Sequence, residues 1–282
     1  PTPHPTPTPF TGIVRPIIID TDMAPDDWFA ILYLLNRPDV SVAAITVTGT
    51  GEAHCEPGIK NAMSLTALAG QPDIPVSCGR TTPLQGDHAF PTEWRTRVDS
   101  LAGLTLQSNP APVTPQTAVE LLTSIIASMP DKVTILALGP LTNLAELLQS
   151  DPKIKDNIEM FYIMGGAVDV PGNVGASHAG IDNSAADWNI YVDPRAAAIV
   201  LQSGVPITLV PLDATNYVPV TTDFINRLKK DRQTPEANFT YDVLSKTQYY
   251  DFVKSGGYYF WDTSAAAILT DNSLAVFETR NL

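Results

Sequence analysis

The sequence predicts a single-domain α/β protein with a mainly parallel central sheet flanked by helices. Short apolar runs rich in Ile and Val alternate with helical patterns from Arg15 to Leu212. Such alternation marks strand–helix–strand units whose strands are buried on both faces. No internal repeat or shift in composition divides the 282 residues, a length that suits one large α/β domain. Hydrophobic residues make up 44 % of the chain. A chain of this size buries about three quarters of its unfolded surface and needs no staples to fold.

The elements follow in order. Pro1–Phe10 reads PTPHPTPTPF, an extended or disordered composition, so residues 1–12 are set apart from a domain at 13–282. The segment lacks a Met and resembles a linker exposed by cleavage. That points to a secreted or extracytoplasmic protein, with the cytoplasm as the alternative. Arg15–Asp20 is a buried strand ending in an acid, and Pro25-Asp26-Asp27 opens a helix over Trp28–Leu35. Ser41–Thr48 is a strand, Gly58–Ala69 a helix and Ile74–Cys78 a short strand. Thr81–Thr105, rich in Pro, Gly, Asp and aromatics without periodicity, reads as a long functional loop. Helices at Thr117–Met129, Thr142–Gln149 and Pro194–Gln202 then alternate with strands at Val133–Leu138, Met160–Met164 and Ile207–Leu212. The stretch from Thr222 to Asp271 is mostly helical, broken at Gly256-Gly257. Tyr249, Tyr250, Tyr258 and Tyr259 flank that break and suggest a lid.

Charge narrows the partners. With 30 acidic and 17 basic side chains the net charge is −13, which excludes a basic patch for nucleic acid or an anionic membrane surface. No apolar run approaches the roughly 18 residues of a membrane span. The two cysteines, Cys55 and Cys78, form no CxxC and read as buried thiols, with a single disulfide as the alternative. A negative chain favours a cation.

In open α/β sheets the site lies at the carboxyl ends of the strands. There Asp20, Asp22, Asp26 and Asp27 crowd together after the first strand. Carboxylates so close raise each other's pKa unless something compensates. A helix N-terminus can compensate Asp26 and Asp27 by capping, but not Asp20 and Asp22 as well. A hard cation such as Ca²⁺, bound through carboxylates and carbonyls, compensates all of them. Zinc does not fit, because His4, His54, His88 and His178 show no paired spacing.

This acid-rich DxDxxxDD element resembles the opening motif of the inosine–uridine-preferring nucleoside hydrolase superfamily. Further motifs follow in the family's order: Leu138-Gly139-Pro140-Leu141-Thr142-Asn143, Met164-Gly165-Gly166 with Asn173, Asp187-Trp188-Asn189 before Asp193-Pro194, Leu212-Asp213-Ala214-Thr215, and Trp261-Asp262. The resemblance runs from about residue 16 to the C-terminus and implies a Rossmann-like nucleoside hydrolase fold. It implies Ca²⁺-dependent hydrolysis of the N-glycosidic bond of ribonucleosides, releasing base and ribose. Asp22, Asp27, Asp262 and the Leu138 carbonyl would hold the metal. Asp22 would also be the general base, and Asp26, Asn173, Asp187 and Asn189 would hold ribose hydroxyls. Trp94 and Trp261 resemble the paired tryptophans of the purine-preferring branch, which sandwich the base. Glu52 falls near that branch's acidic base contact, and Met164 and Trp188 would wall the pocket. The partner is then a small nucleoside, and a homo-oligomer is compatible with this reading.

Two departures stand out: Met23-Ala24 where the family usually has Pro-Gly, and Asp187 where Glu is commoner. The competing readings are a Mg²⁺-dependent haloacid-dehalogenase-like phosphohydrolase with Asp20 as nucleophile, a catalytically silent nucleoside-binding protein, and the same family acting on another N-ribosyl compound.

Overall fold

The computed structural model describes Gly12, residues 14–178 and residues 180–281; the N-terminal segment set apart above lies outside them but for Gly12. The first half of the chain alternates strands and helices: β1 (Arg15–Thr21), α1 (Pro25–Leu35), β2 (Val40–Val47), α2 (Cys55–Leu68), β3 (Val76–Cys78), α3 (Thr92–Asp99), α4 (Ala118–Ser128) and β4 (Val133–Ala137). The alternation continues through α5 (Thr142–Ser150), β5 (Ile158–Met164), α6 (Val174–Ser177), α7 (Trp188–Val192), α8 (Pro194–Leu201) and β6 (Ile207–Val210). The remainder is helical: α9 (Leu212–Thr215), α10 (Thr222–Asp231), α11 (Pro235–Leu244), α12 (Thr247–Lys254) and α13 (Trp261–Thr270).

The six strands form one parallel sheet in the order β3-β2-β1-β4-β5-β6. Strand β1 shows why: Ile17 and Ile19 pack with the layer that holds α1 and α13, and Ile18 with the layer of α4, α5 and α8. Both faces are therefore covered, and each fully buried Ile contributes about 1.5–3 kcal/mol. The strand order reverses between β1 and β4, which opens a crevice at their carboxyl ends. Asp20 pairs with Ala137 in the register, and the Leu138 N–H donates to the Asp20 carbonyl at 2.8 Å. The first acid motif and the Leu138 turn are thereby fixed side by side.

The structure corrects several expectations. The supposed loop Thr81–Thr105 contains α3. Only Val98 of that helix is buried, so it lacks the apolar stripe that would reveal it in the sequence. The last strand ends at Val210, and Leu212 opens the short helix α9 instead. Cys55 and Cys78 are not free thiols but a disulfide, with their Cα atoms 5.5 Å apart. The start of α2 and the end of β3 meet at the sheet edge, which a sequence separation of 23 conceals. Among the described residues no helix is long and apolar enough to cross a membrane.

Candidate active site

A cavity of about 690 Å³ opens at the carboxyl ends of β1, β4 and β5. Every predicted site residue except Asp27 lines it: Asp22, Asp26, Glu52, Trp94, Leu138, Met164, Asn173, Asp187, Trp188, Asn189, Trp261 and Asp262. Asp27 is fully buried and outside the lining. Its carboxylate gathers with those of Asp26 and Asp262, with one oxygen from each within 4.8 Å of the others. Asp22 joins the group through Asp27, whose carboxylate is within hydrogen-bonding reach. Asp26, expected to hold a ribose hydroxyl, thus also belongs to the central carboxylate group.

Asp22 is held tightly. Its Oδ2 accepts the Glu52 N–H at 3.1 Å, and the Ala53 N–H donates to its carbonyl at 2.9 Å. Gly51 and Gly139 press on its side chain so closely that a Cβ on either would lie 2.1 Å or 2.6 Å from the Asp22 Cβ. The chain turns at Met23 with φ of +63°, a left-handed conformation unusual for a side chain of this size. Its carbonyl accepts the Trp28 Nε1–H at 2.7 Å, which anchors the turn to α1.

Burial raises every acid of this group. Asp22 and Asp26 are pushed up to about 6, and Asp27 and Asp262 well above the ordinary value, with the charge of a neighbouring carboxylate adding to burial in each case. Asp27 Oδ1 receives the Thr21 hydroxyl, but Asp27 Oδ2 and Asp262 Oδ1 are buried with no hydrogen-bond partner among the described residues. The N-cap of α1 is Ala24, without a side-chain bond, so capping does not account for the cluster. Buried carboxylate oxygens without partners, gathered on one point, fit a hard divalent cation.

Around the cluster, polar groups are fixed by short bonds. Asn189 Nδ2 donates to the carbonyls of Leu138 and Met164, at 3.1 Å each. Asp187 caps α7, and its Oδ1 accepts N–H groups from Gly166 at 2.9 Å and Asn189 at 3.1 Å. Asn173 Oδ1 accepts the Trp188 N–H at 3.2 Å. Aromatic rings supply the apolar walls in two groups. Phe90, Trp94 and Trp188 pack with Trp94–Trp188 centroids 5.2 Å apart, and Tyr258, Tyr259 and Trp261 with Tyr258–Trp261 centroids 5.3 Å apart. Trp94 and Trp261 remain half-exposed to the cavity, whereas Trp188 is buried.

Two predicted features are placed elsewhere. Asp20, the nucleophile of the phosphohydrolase reading, is fully buried and does not line the cavity. Thr46 and Asn143 donate to its Oδ1 at 2.6 and 2.7 Å, and burial raises its pKa to about 7. Tyr250 does not line the cavity, although Tyr249, Tyr258 and Tyr259 do. Sequence reasoning also missed Arg97, Asn216 and Gln248 in the lining. Arg97 was within reach of a helical reading of residues 92–99, since it follows Trp94 by three positions.

The sequence and the fold resemble those of known proteins. The pyrimidine-specific ribonucleoside hydrolase RihA of Klebsiella pneumoniae is 36 % identical over 220 residues, covering 76 % of this chain and 66 % of that protein. The chain spans about two thirds of the length of the curated relatives it matches. Among solved structures, the plant nucleoside hydrolase PpNRh1 superposes with a TM-score of 0.82 at 30 % identity, covering 93 % of this chain and 80 % of that one. The purine-preferring ribonucleoside hydrolase from Gardnerella vaginalis gives a TM-score of 0.77 at 26 % identity, covering 93 % of this chain and 82 % of that one. The family model described as inosine-uridine preferring nucleoside hydrolase matches residues 17–282, and the chain belongs to that family.

Proposed function

We propose that this protein hydrolyses the N-glycosidic bond of ribonucleosides, with purines preferred and Ca²⁺ as cofactor, releasing free base and ribose. The observation that carries the reading is one cavity in which a buried, unsatisfied carboxylate cluster adjoins half-exposed tryptophans. Its volume suits a small molecule of nucleoside size.

Asp22, Asp27, Asp262 and the Leu138 carbonyl would hold the ion, with Asp26 beside them. When bound, Ca²⁺ supplies a coordinated water of lowered pKa and an anchor for ribose hydroxyls. Asp22 takes the proton of the attacking water, and its fixed orientation between Gly51 and Gly139 keeps the carboxylate in reach. Asn173, Asp187, Asn189 and Asp26 hold the ribose hydroxyls and set the ring geometry. The surrounding carboxylates stabilise positive charge that develops on the ribose as the bond breaks. No separate nucleophilic carboxylate is needed, so the displacement is single and inverting. Trp94 and Trp261 stack on the base, and Glu52 stands at its edge.

The curated relatives favour a second reading, in which pyrimidine nucleosides are preferred. The Cys55–Cys78 disulfide supports work in an oxidising compartment. Ribose release from inosine, guanosine, adenosine, uridine and cytidine, with EDTA and with Ca²⁺ added back, tests both readings. Purine turnover that EDTA stops and Ca²⁺ restores is the expected result. No ribose from any of the five overturns the function, and higher turnover of uridine and cytidine overturns the purine preference.

A further inference from the structure

Arg97 is, among the described residues, the one basic side chain in the lining of an otherwise acidic cavity. Its guanidinium takes part in no ion pair or hydrogen bond among the described residues. The neighbouring Arg95 has a clear structural task, with its Nη2 donating to the carbonyls of Gly49 at 3.1 Å and Ala53 at 3.3 Å. Arg97 has none. It follows Trp94 by three residues on α3, so both side chains rise from the same helix face into the cavity. Glu52 and Tyr249, both in the lining, feel its positive charge, which opposes the rise of their pKa.

The proposed chemistry leaves a place for such a charge. When the C1′–N bond breaks, its electron pair goes to the base nitrogen, while the water oxygen bonds C1′ and its proton passes to Asp22. The base then carries negative charge, which spreads onto its ring carbonyl oxygens. The carboxylates that stabilise the ribose cation oppose an anion departing beside them. Among the described residues no histidine lines the cavity to protonate the base. A guanidinium stays charged at every working pH, so it acts here by charge and hydrogen bonds and not as an acid.

Resting on the nucleoside hydrolase reading, we infer that Arg97 holds the departing base: its guanidinium donates to a carbonyl oxygen of the base and stabilises the leaving anion. The base takes its proton from solvent afterwards. The residue therefore selects 6-oxopurine nucleosides over adenosine, whose C6 amino group offers donors where the guanidinium needs an acceptor.

The test compares wild type, Arg97→Met and Arg97→Lys on inosine, guanosine, adenosine and p-nitrophenyl β-D-riboside, whose leaving group departs unaided. Arg97→Met is expected to lower kcat on inosine and guanosine about 100-fold, and to change adenosine and the nitrophenyl riboside by less than about threefold. Arg97→Lys is expected to recover part of the loss, because it keeps the charge but not the fork. Equal losses on all four substrates, no loss on inosine, or a wild type that prefers adenosine overturns the inference. A wild type that cleaves the nitrophenyl riboside but not inosine also overturns it while leaving the glycosidic chemistry standing. A wild type that cleaves none of the four takes the hydrolase reading down with it.

Discussion

The Glu52 N–H donates to Asp22 Oδ2 at 3.1 Å, and this bond ties the turn after β2 to the acid that follows β1. The contact is close because Gly51 has no side chain. A Cβ there would lie 2.1 Å from the Asp22 Cβ, and Gly139 also packs closely against that side chain. Gly51→Ala must therefore displace Asp22. A shift near 1 Å in a reacting group costs about 10²-fold in rate. Steady-state kinetics on the best nucleoside should show that loss in kcat, with far-UV circular dichroism unchanged. Full activity in Gly51→Ala would refute the clamp on Asp22.

Trp261 stands immediately before Asp262 at the start of α13, so the proposed base platform adjoins a carboxylate of the buried cluster. Stacking of a base on an aromatic ring contributes about 1–3 kcal/mol. Trp261→Ala should lower kcat/KM for inosine by about 10- to 100-fold and affect uridine less, because a purine presents the larger face. An equal loss on both would remove the purine sandwich and favour the pyrimidine reading.

The acid cluster after β1 was legible in the sequence because acids at strand ends obey a topological rule, whereas Leu138, Asn173, Trp94 and Trp261 came only from the family resemblance. Once β1 and β4 are neighbours, Asp22 and Leu138 must meet at the switch point. Legibility failed where tertiary context alone decides. Helix α3 turns almost no apolar surface to the core, so its sequence carries no helical stripe, and Arg97 was lost with it. Asp20 looked like the other acids, and only the hydroxyl of Thr46 and the amide of Asn143 reveal that it is a packed structural group. The Cys55–Cys78 bond depends on how α2 meets β3, which no local pattern encodes.

That disulfide closes a loop of 23 residues in sequence separation beside the turn that carries Glu52. Gly49 packs against it, since a Cβ there would meet Cys55 Sγ at 2.8 Å and Cys78 Sγ at 3.2 Å. Loop closure of this size contributes about 3 kcal/mol to stability. A Cys55→Ser/Cys78→Ser double variant should unfold at correspondingly lower denaturant, and a thiol titration of the unfolded wild type should find no free sulfhydryl. Two titratable thiols in protein purified without reductant would contradict the bond.

Asp39 links the start of β1 to the end of α1. It accepts from Arg37 Nε at 2.7 Å and from Arg15 Nη2 at 3.1 Å, and Arg15 also donates to the Leu269 and Thr270 carbonyls that end α13. The bonds from Arg37, above all, lower the Asp39 pKa from 3.8 to about 2. A depressed carboxyl stabilises the fold above its unfolded pKa and loses that contribution as pH falls through the folded one. Asp39→Asn should therefore lower stability at pH 7 by about 1 kcal/mol, since the arginines are partly exposed. The gap between variant and wild type should close between pH 4 and pH 2 in urea titrations. A constant gap across that range would show that Asp39 acts through packing alone.

Asp27 and Asp262 each bury a carboxylate oxygen that no group among the described residues satisfies, within a cluster of like charges. Without a cation this arrangement opposes folding, because buried like charges repel and desolvation is unrelieved. Substituting Asp262 by Asn removes one charge at nearly constant shape. In EDTA the variant should therefore melt higher than wild type. In Ca²⁺ the order should reverse: wild type gains stability by mass action, about 2.7 kcal/mol at a hundredfold excess over Kd, and Asp262→Asn gains far less. Hydrolysis should be lost in the variant under both conditions. A Ca²⁺-induced rise in melting temperature as large in Asp262→Asn as in wild type would place the cation elsewhere. No rise in wild type would argue that the cluster holds protons in place of a metal.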